Sequence, residues 1–301
     1  MDRYGIITNV EKDKDLMVSR EIKDYLEQHG KTCTLLKHSD EKTSLDHAHG
    51  LEEDDEGPVF CYTDPKLVPE DTECVLVLGG DGTLIQAARD LSGKNIPLLG
   101  VNFGTLGYLA GVEKQHILPA LDMLMEDRYT LERRMMLDGT LYRGDKIKKR
   151  DVALNDIVIS RGGVLRVIDF KLFVNGEFLN LYSADGIVIA TPTGSTAYNM
   201  SAGGPIVSPE ASLMVVTPIC PHTLNTRSII LSAEDTITIE LCTDRSGNNK
   251  ERLVSFDGDN SQKAYEKDSI KICRSRQCTN IIKLNKISFL EILRKKMSVN
   301  V

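Results

Sequence analysis

The chain has 301 residues, with 37 Lys+Arg against 44 Asp+Glu and a formal net charge of −7. That length suffices for two domains with at least one sizeable core, and the acidic balance excludes a global basic field for nucleic acid or an anionic membrane. No apolar run is long enough to span a bilayer, no signal peptide precedes the first strand, and the 7 cysteines show no Cys-x-x-Cys spacing, so a reduced cytoplasmic protein is expected.

Taken in order, Tyr4 to Thr8 is an apolar strand. Asp15 to His29 has helical spacing of Leu16, Val18, Ile22, Tyr25 and Leu26 and is closed by Gly30. Thr32 to Leu36 is the next strand. Ser39 to Pro58, rich in Asp and Glu, is a surface loop, and His47-x-His49 within it lacks further ligands for a metal. Val75 to Leu78 is a strand, Leu84 to Leu91 a helix, and Pro97 to Val101 a strand. This alternation predicts a parallel sheet covered by helices. Gln115 to Met125 is helical.

From Tyr129 to about Cys273 the pattern changes to short runs separated by Gly, Asn and Asp. They are Asp151 to Ser160, Val167 to Val174, Gly186 to Ala190, Leu213 to Thr217, Thr236 to Leu241 and Ser269 to Ile272. Asn175-Gly176 is a type I′ hairpin signal. An antiparallel, sandwich-like second domain is predicted, and Ile287 to Met297 is a terminal helix returning to the first domain. The expected division is 1–125 with 280–301, and 126–279. The basic clusters Lys146 to Arg150 and Arg294 to Lys296 are expected on a solvated turn and a solvated helix face. Cys74, Cys220 and Cys242 are expected as small buried hydrophobes.

The chemistry concentrates at Gly79-Gly80-Asp81-Gly82-Thr83. A strand, a glycine turn and a helix amino terminus make a phosphate cradle, because glycines permit φ > 0 and close approach while the helix N–H groups carry partial positive charge. Asp81 repels an anion there, unless it takes a proton from a hydroxyl or works through a metal. The competing reading is a helix cap near Thr83. Neither Gly-x4-Gly-Lys-Ser/Thr nor Gly-x-Gly-x-x-Gly is satisfied, which disfavours a P-loop ATPase and a hydride-transfer dehydrogenase. A second glycine turn, Asn102 to Leu109, follows the next strand end.

Three further polar clusters lie in the β-rich half. Asn155-Asp156 interrupts an apolar strand, Asp185-Gly186 precedes another, and Thr191 to Pro205 is a long hydroxyl- and glycine-rich loop suited to reading a base edge and holding ribose or phosphate oxygens. Ser195 lacks the Gly-x-Ser-x-Gly context of a nucleophile, and His222 has no partner marking it as a base.

Together, and in this order, these blocks resemble the NAD kinases of bacterial type over about Val75 to Asp259. The glycine-aspartate turn alone is shared with diacylglycerol, sphingosine and phosphofructo-kinases. The resemblance implies an α/β nucleotide-binding domain, a β-sandwich domain, homodimers or homotetramers, and phosphoryl transfer from ATP to the 2′-hydroxyl of the adenosine ribose of NAD. It implies Asp81 as catalytic base. Donor phosphates would lie on Gly79, Gly80, Gly82 and Thr83, with Mg²⁺ held mainly by the nucleotide. NAD would contact Asp81, Gly82, Phe103, Asn155, Asp156, Arg166, Asp185, Thr196, Ala197, Tyr198, Asn199, Ser201 and Asp259, with Asp185 able to reach a neighbouring subunit's site. Departures are Asp156 where many members carry glutamate, Ser183 where some carry a basic residue, and Ser228 where proline is frequent. The alternatives are a lipid kinase sharing the turn and a non-catalytic NADP(H) sensor. No nucleic acid or membrane partner is expected.

Overall fold

The computed structural model describes residues 1–36, 43–44, 60–61, 63–104, 107–163, 167–223, 226–243, 251–284 and 287–298. The described residues of Met1–Leu45, Phe60–Arg134 and Gln277–Val301 form one compact unit, and those of Met135–Arg276 form a second.

The first unit is built on a parallel sheet. Arg3–Thr8 lies between Thr32–Leu36 and Cys74–Gly79, and Leu98–Asn102 follows on the far side of Cys74–Gly79. Cys74–Gly79 is buried along its whole length. Its near-continuous apolar run is what a strand covered on both faces requires. The helices Met17–Gln28 and Ile117–Met125 bury Val18, Ile22 and Leu26, and Ile117, Ala120, Leu121 and Leu124. These residues recur at helical spacing and close one core with Ile6, Leu76, Leu78, Leu99 and Val101. The terminal helix, predicted over 287–297, is Phe289–Ser298 and belongs to this unit.

Chain order and spatial order differ in a way that positions a ligand site. The chain leaves Arg3–Thr8 for Thr32–Leu36 on one side, then returns to Cys74–Gly79 on the other. The crevice beyond the carboxyl ends of Arg3–Thr8 and Cys74–Gly79 is therefore a topological switch point, where open α/β sheets bind ligands. The backbone there is tied shut by Asn9 N donating to Leu78 O at 2.9 Å, while Phe103 N donates to Gly79 O at 2.9 Å.

The second unit is a sandwich. One antiparallel sheet contains Glu177–Ala184, Ile168–Val174, Ile237–Leu241 and the start of Ser269–Lys283. The other runs Ile229–Ser232, Leu213–Ile219, Gly186–Ala190, Asp156–Arg161, Arg252–Phe256, Gln262–Ala264. Ile157, Ile159, Ile187, Ile189 and Val216 face the core between the sheets, with Phe170, Ile239 and Ile270 opposite. Val158, Val188, Ala190 and Val215 face the other way, where Ala202 and Val207 cover them. That alternation lays the Thr191-to-Pro205 loop on the outer face of the second sheet. The predicted hairpin turn is present, with φ of 52° at Asn175 and 84° at Gly176, both in the left-handed region a type I′ turn needs.

Several expectations are corrected. The run Asp151 to Ser160 is two strands, Lys146–Ala153 and Asp156–Arg161, broken at Leu154 and Asn155. Lys146 to Arg150 is part of the first of these, with Lys149 buried. Cys220 is exposed and Cys242 half-buried, whereas Cys74 is buried as expected. The predicted acidic loop and His47-x-His49 lie outside the described residues, apart from Thr43–Ser44, which pairs with Phe60–Cys61.

Candidate active site

The helix after the glycine turn begins earlier than its apolar spacing suggests. It spans Asp81–Asp90, with Gly80 as N-cap and no side-chain capping bond. Asp81 is thus the first helical residue and not a cap. Its carboxylate instead receives three consecutive backbone N–H groups of the second glycine turn: Tyr108 at 2.6 Å, Leu109 at 3.2 Å and Ala110 at 3.0 Å. That bond set explains why a helix starts on Asp-Gly, a weak helical pair. Gly107 makes the approach possible, since an added Cβ would stand 1.9 Å from Asp81 Oδ1.

Gly79, Gly80 and Gly82 do not adopt positive φ. Their use is space. A Cβ on Gly79 would meet Thr83 Oγ1 at 2.3 Å, and one on Gly80 would come within 3.4 Å of Lys12 Nζ. Beyond the turn opens a polar cavity of about 410 Å³, lined by Asn9, Lys12, Asp81, Gln86, Asn102 and Lys296 beside Gly80, Gly82, Thr83, Gly104 and Gly107. Asp81 is the acidic residue in that lining. Three of the expected donor-site residues, Gly80, Gly82 and Thr83, therefore share one cavity with Asp81, and Gly79 supports it from the strand end. Phe103 is half-buried against the unit's core, with Lys114 Nζ 5.5 Å from its ring centroid.

The second unit holds its own constellation. Asp257 turns back after Arg252–Phe256 with φ of 52°, and its carboxylate receives the N–H groups of Leu154 at 2.8 Å, Asn155 at 2.7 Å and Asp156 at 3.0 Å. This carboxylate is what breaks the predicted single strand. Thr191 locks the same segment from the other side: its hydroxyl donates to Leu154 O at 2.6 Å and its N–H to Asn155 O at 2.8 Å. Gly194 lies so close that a Cβ would stand 2.1 Å from Asn155 O.

Asp156 is 4% exposed, and burial, with the charge of Asp257 second, pushes its carboxyl up to about 7. Among the described residues no protein donor reaches its carboxylate, nor does a protein group bond the Asn155 side-chain amide. Two adjacent polar groups are thus fixed by their backbone and left open at their tips. Buried polar groups of that kind call for a ligand or water.

Other expected residues divide. Thr196 and Ala197 are half-buried, and Tyr198 and Ser201 are exposed on the loop. Asn199 is fully buried, with its amide N–H groups on Ser195 O at 3.1 Å and Pro205 O at 3.0 Å, and its oxygen accepting from Thr217 at 2.7 Å. Its side chain pins the loop and is not a pocket-lining group. Ser195 is fully buried and donates to Pro192 O at 2.7 Å, which closes the nucleophile reading. Asp185 forms an ion pair with Arg161 at 3.0 Å. Asp259 is two residues beyond Asp257, the residue that holds the Asn155-Asp156 segment. Arg166 lies outside the described residues. Sequence reasoning missed Asn9, Lys12, Gln86, Lys296 and Asp257. Only Asn9 and Lys12 carried a usable signal, the end of the first strand.

An α/β unit with a polar cavity of about 410 Å³ holding a single acid beside a glycine turn, together with a sandwich carrying open polar groups, fits the class of nucleotide-dependent phosphotransferases. The ATP-NAD kinase N-terminal domain family matches residues 4–129, and the ATP-NAD kinase C-terminal domain family matches residues 154–284. The chain belongs to the NAD kinase family. It is 45% identical to an NAD kinase of Lachnospira eligens over 99% of this chain and 100% of that protein. It is 46% identical to an NAD kinase of Agathobacter rectalis over 99% of each. In fold it is similar to yeast NADH kinase complexed with NADH (TM-score 0.82, 22% identity, 100% of this chain and 88% of that one). It also resembles an NAD kinase of Archaeoglobus fulgidus in complex with ATP (TM-score 0.75, 22% identity, 98% and 99% covered).

Proposed function

We propose that the chain transfers the terminal phosphoryl group of ATP to the 2′-hydroxyl of the adenosine ribose of NAD, giving ADP, NADP and a proton. The observation that carries this reading is Asp81, the acid in a cavity whose other charged lining residues are Lys12 and Lys296. Phosphoryl transfer asks for positioned oxygens and neutralised charge, plus an acceptor for the hydroxyl proton. Backbone N–H groups at the start of Asp81–Asp90 would hold donor phosphates, and Asp81 would take the proton. The Tyr108, Leu109 and Ala110 amides keep its carboxylate in place for that step.

In this reading Asn155 and Asp156 hold ribose hydroxyls, and Thr196, Ala197, Tyr198 and Ser201 meet the adenine side of NAD, with Phe103 stacking on the base. Gly82 and Asp259 also contact NAD. Arg166 offers charge to the pyrophosphate. The cavity fits Mg²⁺ brought in on the nucleotide: its lining holds one carboxylate, and the Asn9 and Asn102 amide oxygens already accept from Lys12 N at 3.2 Å and Gly104 N at 2.9 Å, a sparse set matching an ion that keeps waters and phosphate ligands. Bound Mg²⁺ would offset phosphate charge. Homodimers or homotetramers are part of the proposal. Phe178, Leu179 and Leu181, exposed on the edge strand Glu177–Ala184, support self-association. We place the enzyme in the cytoplasm. Among the described residues no helix is long and apolar enough to cross a membrane.

The test is incubation with Mg-ATP and either NAD or a lipid acceptor, followed by an NADP-specific dehydrogenase. NADP formed from NAD alone is the expected result. Phosphorylated lipid without NADP would replace the reading with the lipid-kinase alternative.

A further inference from the structure

Lys296 lies in a run of three basic residues, Arg294 to Lys296, that would ordinarily be a solvated helix face. Its neighbour Lys295 behaves that way, pairing with Glu291 at 3.1 Å one turn back. Lys296 points elsewhere. It lines the cavity, half-buried, with Nζ 5.4 Å from the centroid of the Tyr108 ring, a separation at which a ring face holds an ammonium group. Tyr108 is the residue whose N–H bonds Asp81.

Lys12 enters from the opposite end of the chain. Its ammonium lies against Gly80, and its backbone is held by Lys12 N donating to Asn9 O at 3.0 Å. The turn is pinned from below by buried Asp13, which accepts from Thr8 Oγ1 at 3.1 Å, Val18 N at 2.9 Å and Ser19 N at 3.1 Å. Among the described residues neither Lys12 nor Lys296 has a carboxylate partner. Two lysines against one carboxylate leave the cavity lining net positive, which favours an anion there.

We propose that Lys12 and Lys296 form a two-lysine clamp on the polyphosphate of the donor nucleotide, with the terminal helix serving as one jaw. The inference rests on the kinase reading above and deepens it, by naming side chains for the donor. The placement of Lys12 against the glycine turn assigns the pair to the donor's phosphates and not to the pyrophosphate of NAD. Each lysine supplies charge where Mg²⁺ leaves the triphosphate still negative.

The experiment uses the full-length protein and four variants: Lys12→Ala, Lys296→Ala, Lys296→Arg and the control Lys295→Ala, which removes the same charge from the adjacent position. Wild type is first checked for NADP formation; failure there sinks the kinase reading, while inorganic tripolyphosphate binding by calorimetry still tests the clamp. The clamp predicts that Lys12→Ala and Lys296→Ala each raise the KM for ATP about tenfold, the cost of losing a charge-assisted contact. Tripolyphosphate should weaken by the same factor in each. The KM for NAD should stay within about twofold, Lys296→Arg should retain most of the affinity, and Lys295→Ala should match wild type. An unchanged KM for ATP and unchanged tripolyphosphate binding in both alanine variants would overturn the proposal. So would a rise confined to the KM for NAD.

Discussion

Asp81 and Asp257 do the same structural task in different units. Each is a carboxylate that gathers three consecutive backbone N–H groups of a distant segment, 108–110 in one case and 154–156 in the other. The difference is where the working carboxylate sits. In the first unit the gathering residue itself borders the cavity. In the second it stays behind the segment, and the open carboxylate belongs to Asp156, a member of the gathered set. On the proposed function, one residue combines anchor and chemistry, while in the other unit the two tasks are divided. Substitutions that delete or displace the anchor should therefore separate folding from function in the second unit and not in the first.

The largest effect on folding is expected at the dedicated anchor. Asp257→Ala leaves three backbone donors without their acceptor and should destabilise the protein by about 3 kcal/mol or more, read as a lowered urea midpoint. Gly107→Ala forces the Asp81 carboxylate off its three amides, so it should cost stability on the scale of Asp257→Ala, and NADP formation should fall sharply with it. Gly194→Ala comes next. Its Cβ would meet the Asn155 backbone, which cannot rotate away, so a loss of about 1–3 kcal/mol is expected with weakened NAD binding.

Asp156→Asn gives a pH signature. The folded-state carboxyl titrates near 7, above its ordinary value, so the folded protein holds a proton that the unfolded chain has released. The penalty is absent below about pH 4, where both states are protonated, grows as pH rises toward 7, and is constant above that. Asp156→Asn should accordingly stabilise the free enzyme by on the order of 1–3 kcal/mol above pH 7 and by nothing near pH 4. It should weaken NAD more than ATP. A stability difference that does not vary with pH would remove the buried ionisable group from the account. The smallest effect is expected at Gly82→Ala. No atom lies within 4 Å of the added Cβ, so stability should be unchanged or raised by up to about 1 kcal/mol.

What the sequence made legible follows the range of the forces involved. Continuous apolar runs such as Val75 to Leu78 and the Asn175-Gly176 turn are local signals, and both were placed correctly. The Gly79-to-Thr83 turn between strand and helix was legible because a glycine cluster at a strand end is a local signal. The interruption at Asn155-Asp156 was legible as two polar residues in an apolar run, but its cause was not, because Asp257 stands far along the chain. The early helix start at Asp81 has the same explanation, with Tyr108 to Ala110 as the remote partners. Lys296 was invisible inside a charge run, since only tertiary packing distinguishes it from Lys295. Asn199 misled in the other direction: a polar residue in a ligand-like loop whose bonds all turn inward.

The most direct test of the central claim is steady-state turnover of Asp81→Asn with Mg-ATP and NAD. Asparagine keeps an acceptor oxygen for the Leu109 and Ala110 amides but cannot take a proton. Turnover should fall by about 10²–10⁴-fold with a preserved cooperative melt and little change in the KM for NAD. Near-normal turnover in a folded Asp81→Asn enzyme would contradict the assignment.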